Sequence, residues 1–221
     1  MAINSEIKYR PKTLAEFVFP NEEVKELITA YAAGQCSRSL ILAGTNGTGK
    51  SLLAALLPDA IEGKEAWVTK LEVGKLNSSE EIKKHFFPHN FYTQLFILNE
   101  QKFSYTVIEE LNVAPNSNAF AKKQAIDTLK LGLDAKQGVE ITIFTTNQLH
   151  NIDAGIRSRC EVLHVPACTP EVFLPRAKKI IADEGYQLED ELLLKALGDT
   201  YRLRPDNRSY YKLLDRMLRS V

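Results

Sequence analysis

Cysteine is scarce: Cys36, Cys160 and Cys168 are the three in 221 residues. An odd, scattered set fits neither a disulfide framework nor paired metal-ligand spacing, so these read as reduced thiols of a cytosolic protein. Net charge is missing too. Lys+Arg and Asp+Glu both total 28, which removes any global electrostatic argument for nucleic-acid or membrane binding and leaves only local basic surface. No stretch approaches the ~18 consecutive apolar residues of a membrane span, and the opening MAINSEIKYRPK lacks a signal-peptide core, so a cytoplasmic location is expected. There is no repeat, low-complexity tract or long charge block. What is present, 44% hydrophobic and 25% charged residues, suffices for one good core, or one core and a small satellite.

Apolar runs of strand length alternate with helical patterns. SLILAG (39–44), EAWVTKLEV (65–73), YTVIEEL (105–111) and VEITIFTTN (139–147) read as strands. Helical patterns cover about 21–33, 50–58, 79–87 and 117–135, with Pro58 closing the second. Such alternation predicts βαβ units and a mostly parallel sheet covered on both faces. Beyond VPACTP (165–170) only helical patterns remain, at about 170–184, 189–198 and 206–219. The expected division is an α/β domain over 1–166 and a helical domain over 167–221 packed upon it.

Gly44 through Ser51 spell G-x-x-x-x-G-K-S between an apolar strand and an Ala/Leu-rich helix, the context a phosphate loop requires. Gly44, Gly47 and Gly49 let the backbone of Thr45, Asn46 and Thr48 bend so that successive N–H groups face phosphate oxygens. The helix that opens at Lys50, Ser51 and Leu52 points its positive dipole end at the same place. Lys50 is expected at the β/γ-phosphates and the Ser51 hydroxyl on Mg²⁺. A turn that merely joins strand to helix is the plain alternative.

Glu109 and Glu110 follow the apolar Val107 and Ile108. At the end of a buried strand, the first would hold the water shell of Mg²⁺ and the second would orient or deprotonate the attacking water. The first position is usually Asp, so Glu109 is one methylene long. Glu100 is a weaker rival for the water-activating role. Asn147 ends a further apolar strand, where an amide can reach a phosphate or the lytic water, or simply begin a turn.

Several segments, in order, resemble clamp-loader small subunits, the AAA+ ATPases that open sliding clamps at replication forks, with bacteriophage-type subunits the nearest pattern. KYRPKTLAEFVFPNEEVKELI (8–28) is similar to the family's opening, which implies that Tyr9, Arg10, Pro11 and the apolar loop with Val18 line an adenine pocket. TIFTTN (142–147) resembles the sensor-1 strand and puts Asn147 beside the γ-phosphate. GIRSRC (155–160) resembles the Ser-Arg-Cys motif, which makes Arg159, in preference to Arg157, an arginine offered to the neighbouring subunit's ATP. PDNRSYYKLL (205–214) resembles the sensor-2 helix and puts Arg208 over the nucleotide.

The resemblance implies a P-loop AAA+ fold, a parallel five-stranded sheet flanked by helices followed by a small helical lid. It further implies ATP and Mg²⁺, hydrolysis, and a homo- or hetero-oligomeric ring or spiral with ATP at subunit interfaces. DNA, and a sliding clamp or another replication protein, are the implied partners, with Lys122 and Lys123 as pore-facing candidates for phosphate contact. The family's helical collar has no counterpart before Val221. A compact viral or plasmid helicase-type motor and a non-catalytic scaffold subunit remain as alternatives.

Overall fold

The computed structural model describes residues 4–71, 80, 100–111 and 119–219. A five-stranded, all-parallel sheet runs in the order β2-β3-β4-β1-β5. The strands are β1 (Ser39–Ala43), β2 (Val68–Leu71), β3 (Ser104–Ile108), β4 (Glu140–Thr146) and β5 (Cys160–His164). Four match the sequence expectation within a few residues. The fifth, β5, lies where the sequence showed only a motif, because its edge position leaves Glu161 and Val162 partly exposed and breaks the apolar run. The expected helix at 79–87 lies, save for Glu80, outside the described residues, as do 72–73 and 117–118.

Central strands buried on both faces account for the continuous apolar runs. Leu40, Leu42, Ile141, Ile143, Tyr105 and Val107 point to one face, covered by α2 (Glu22–Ala32) and α3 (Lys50–Glu62). Ile41, Ile108 and Phe144 point to the other, covered by α4 (Ala119–Ala135) and the single turn α5 (Ala154–Arg157). Helix α3 runs past Pro58, the residue expected to stop it, and ends at Gly63 in the left-handed region. Leu56, Leu57, Pro58 and Ile61 are all buried on the sheet, and that burial outweighs the one hydrogen bond a mid-helix proline forfeits.

A third apolar cluster belongs to α6 (Pro170–Asp183), α7 (Asp190–Leu203) and α8 (Asn207–Arg219). Phe173 stacks on Tyr210 at 4.6 Å between ring centroids and meets Tyr211 edge-on. The short N-terminal helix α1 (Ser5–Lys8) joins this bundle. The Ser5 amide donates to Asp215 at 2.8 Å, Lys8 pairs with Glu184 at 2.7 Å, and Arg176 donates to the Tyr9 carbonyl.

Candidate functional site

In a parallel sheet the loops leaving the strands' carboxyl ends gather on one edge, and three of them meet here. The loop after β1 is clamped where it starts: the Gly44 amide donates to Thr146 O at 3.1 Å, and Val165 N donates to Ala43 O at 2.7 Å. A Cβ on Gly44 would lie 2.3 Å from the Val165 carbonyl oxygen, so glycine is demanded by close approach. Gly47 and Gly49 have φ of 79° and 95°, the left-handed region that other residues enter at a cost. Gly49 is the N-cap of α3 and has no side chain to satisfy the first-turn amides, which are left for an anion.

Lys50 is buried and its ammonium donates to the Thr45 carbonyl at 2.5 Å, while Thr48 Oγ1 donates to the same oxygen at 3.2 Å. Burial pulls the Lys50 pKa below an ordinary lysine's; Glu110 opposes that and Arg208 adds to it. Three charges of the candidate site thus feel one another.

Beyond β3, Glu110 has φ 54°, the one positive value outside glycine among the described residues. Its amide donates to Thr145 Oγ1 at 3.0 Å and the next amide, Leu111, to Thr145 O at 2.8 Å. Two anchors hold a conformation that costs ~1–3 kcal/mol, and the result is a carboxylate that lines the cavity. Glu109 occupies the same turn, exposed, outside the lining residues. After β4, Asn147 Nδ2 donates to Asn46 Oδ1 at 3.2 Å, tying the sheet's third loop to the first.

The lid closes the other side. Asn207 N donates to Gly47 O at 3.0 Å, its Nδ2 to Thr48 O at 3.2 Å, and its Oδ1 accepts from Cys168 N at 2.8 Å. Arg208, next along α8, lines the cavity and pairs with Glu6 at 3.0 Å. The cavity between loop and lid measures ≈ 580 Å³, within the range of small-molecule sites. Lys50, Ser51, Glu110, Asn147 and Arg208 line its polar part; Pro11, Val18, Leu52, Phe173 and Tyr211 line its apolar part, with Arg10 beside them. Gly44, Thr45 and Thr48 build the loop from behind.

Tyr9 departs from the expectation. Its ring joins the lid cluster and its hydroxyl donates to Glu184 at 2.9 Å, away from the cavity, because a half-buried phenol needs a partner and Glu184 supplies one. Glu100 departs as well: it precedes β3, at the opposite end of the sheet from the phosphate loop, and pairs with Lys64. Asn207, Thr145, Phe173 and Tyr211 escaped the sequence reading. Only the polar Asp-Asn pair ahead of an amphipathic helix hinted at the first.

Arg159 lies at that far end too. β5 is parallel to β1, with Cys160 opposite Ser39 and His164 opposite Ala43. Arg159 precedes the strand whereas the phosphate loop follows its neighbour, so five residues at ~3.3 Å, about 16 Å, separate them. Arg159 cannot serve the phosphate loop of its own chain. Arg157 is exposed, Lys123 is exposed, and the Lys122 side chain lies outside the described residues. Among the described residues no group of three or more His, Cys, Asp or Glu could hold a metal, and no helix is long and apolar enough to cross a membrane. Ser51, at the first turn of α3 and on the cavity wall, fits a Mg²⁺ that takes its other ligands from phosphate and water.

Replication factor C subunit 5 of Mus musculus is 24% identical over 221 residues, covering 94% of this chain and 61% of its own length. The replication factor C large subunit of Methanococcus aeolicus is 24% identical over 197 residues, 84% of this chain and 38% of its own. Protein STICHEL-like 1 of Arabidopsis thaliana is 23% identical over 208 residues but is matched over 18% of its length. The chain therefore spans less than two thirds of each of these relatives. Among solved structures, RuvB variants of Thermotoga maritima superpose with a TM-score of 0.66 at 16% identity over 94% of this chain and 65% of theirs. No family model matches. The fold is the AAA+ P-loop fold, and the resemblance to clamp-loader-type AAA+ ATPases read from the motifs holds as similarity along nearly the whole chain.

Proposed function

We propose that this chain is an ATP-binding and ATP-hydrolysing AAA+ protein of DNA replication, working as an oligomer with nucleotide held between subunits. One observation carries the proposal: Lys50, Ser51, Glu110, Asn147 and Arg208 converge on a single cavity, while Arg159 sits at the opposite end of the sheet. In this reading the loop amides and Lys50 bind the phosphates, and the apolar wall with Arg10 receives the base. Ser51 ligates Mg²⁺ and Glu109 steadies its water shell. Glu110 polarises the attacking water, Asn147 orients it, and Arg208 senses the γ-phosphate from the lid. Arg159 completes the neighbouring subunit's cavity, where a fixed guanidinium stabilises charge on the transferring phosphoryl group. The α/β unit spans 1–166 and the lid 167–221. DNA and a sliding clamp, or another replication protein, are the proposed partners, as the motif resemblance to clamp-loader subunits implies.

The test is steady-state ATP turnover. Arg159→Ala should keep nucleotide affinity but lose about 10³-fold or more in kcat, the scale of an arginine supplied in trans. Mixing Arg159→Ala chains with Glu110→Gln chains should restore part of the activity. Normal turnover by Arg159→Ala alone removes the shared-site reading.

A further inference from the structure

Helix α4 ends with an acid where its macrodipole disfavours one. Asp134 stands in the last turn, which carries no basic residue, next to the helix's partial negative charge. Its position is therefore not explained by helix stability. What Asp134 touches is Arg159, 25 residues on: Nε donates to Oδ1 at 2.8 Å and Nη2 to Oδ2 at 2.9 Å, the fork-on-fork geometry of a bidentate pair. Nη1 donates to the Gly155 carbonyl at 2.9 Å. A guanidinium has five N–H donors. Three are committed, so the group is fixed in plane and direction with two donors left over, and the Arg159 side chain keeps 33% of its surface exposed.

The rest of the segment is held just as firmly. One helical turn before Asp134, Lys130 pairs with Asp153 at 2.9 Å, and Asp153 Oδ1 also accepts the Gly155 amide at 2.8 Å as the cap of α5. The Lys130 stem packs directly on Gly155: a Cβ there would fall 2.6 Å from the Lys130 side chain. α4 thus presents a cation and an anion at i and i+4, and each secures one end of the turn that carries Arg159. A carboxylate and a lysine stem, both on α4, make a strap of the segment from Asp153 to Arg159.

From this geometry we infer that Asp134 is the positioning residue for Arg159, holding the guanidinium in the orientation in which its two remaining N–H groups meet the polyphosphate in a second copy of this chain. The inference rests on the reading of Arg159 as a residue acting in trans. Freezing a long side chain before docking removes an ordering cost from the encounter and fixes the donors where phosphoryl charge develops. Asp134 touches no reacting atom; it acts through the arginine.

The experiment uses the full chain with ATP and Mg²⁺ at a concentration that supports turnover. Asp134→Asn keeps the shape but loses the charge and one acceptor. It should lower kcat about 10- to 100-fold, the scale of a misplaced catalytic group, with nucleotide affinity unchanged. Asp134→Glu should recover part of the loss. Added to Arg159→Ala, Asp134→Asn should change nothing further. In a mixture with Glu110→Gln chains, which contribute an intact Asp134–Arg159 pair, the Asp134→Asn chains should regain turnover in their own cavities. Wild-type or raised turnover by Asp134→Asn, or failure of that mixture to recover, overturns the inference while Arg159→Ala remains inactive. If Arg159→Ala itself turns over normally, the trans reading fails instead, and the two failures are told apart by that variant.

Discussion

Lys50 shows how a single side chain can be prepared for a ligand. Buried against the Thr45 carbonyl, it holds its charge less firmly than an exposed lysine. A phosphate would replace the carbonyl and restore the affinity for the proton. Lys50→Ala should abolish nucleotide binding in titration calorimetry. The pH sign follows from the lowered pKa: the charge is present below it and lost as pH rises through it, so nucleotide affinity should fall as pH rises through that lowered pKa, earlier than for an ordinary exposed lysine. Binding should take up protons over that window, visible as a heat that varies with buffer ionisation enthalpy. A pH-independent affinity would contradict this account. The glycines offer a second check at the same scale. Gly44→Ala drives a Cβ into the Val165 carbonyl and should cost on the order of 1–3 kcal/mol, as overpacking does. Gly198 lies inside α7 with open space around it, so Gly198→Ala should stabilise by ~0.5–1 kcal/mol. Thermal melts of the two variants should shift in opposite directions.

Among the elements, α8 does more than close the lid. Its first residue, Asn207, joins the phosphate loop at Gly47 and Thr48 to the chain's entry into the lid at Cys168. A change in the loop on nucleotide binding therefore reaches the lid through Asn207, by its backbone amide at Gly47 and its side chain at Thr48 and Cys168. Asn207→Ala should leave the fold intact, weaken nucleotide affinity several-fold (about 1 kcal/mol for lost neutral hydrogen bonds), and erase nucleotide-dependent protection of the lid from protease. Unchanged protection would show that the coupling runs elsewhere. The elements also explain what could be read in advance. β1 and β4 announce themselves because both faces are buried and, after the opening Ser39 and Glu140, every position is apolar or threonine; β5, on the edge, carries Glu161 and His164 and does not. The Gly-rich loop, the paired glutamates and Asn147 are legible because their chemistry is local to a strand end. Tyr9's turn toward Glu184, the reach of Asn207 and the Asp134–Arg159 pair are contacts between distant segments, and no local pattern encodes them.

For the whole molecule, the decisive geometry is the separation of Arg159 from the cavity across the depth of the sheet. If sites are shared, turnover per chain must rise with protein concentration, and the mass of the assembly in solution should increase with a non-hydrolysable ATP analogue. A constant specific activity at all concentrations, with a monomeric mass, would restrict the chain to a site without a donated arginine.

That separation gives each chain a head and a tail. Chains joined through such unlike ends can only queue in one direction. If sites are shared in this way, an open queue would leave its last pocket without a donated cation and its first arginine without a pocket, so an open arc would work with one site fewer than its number of chains.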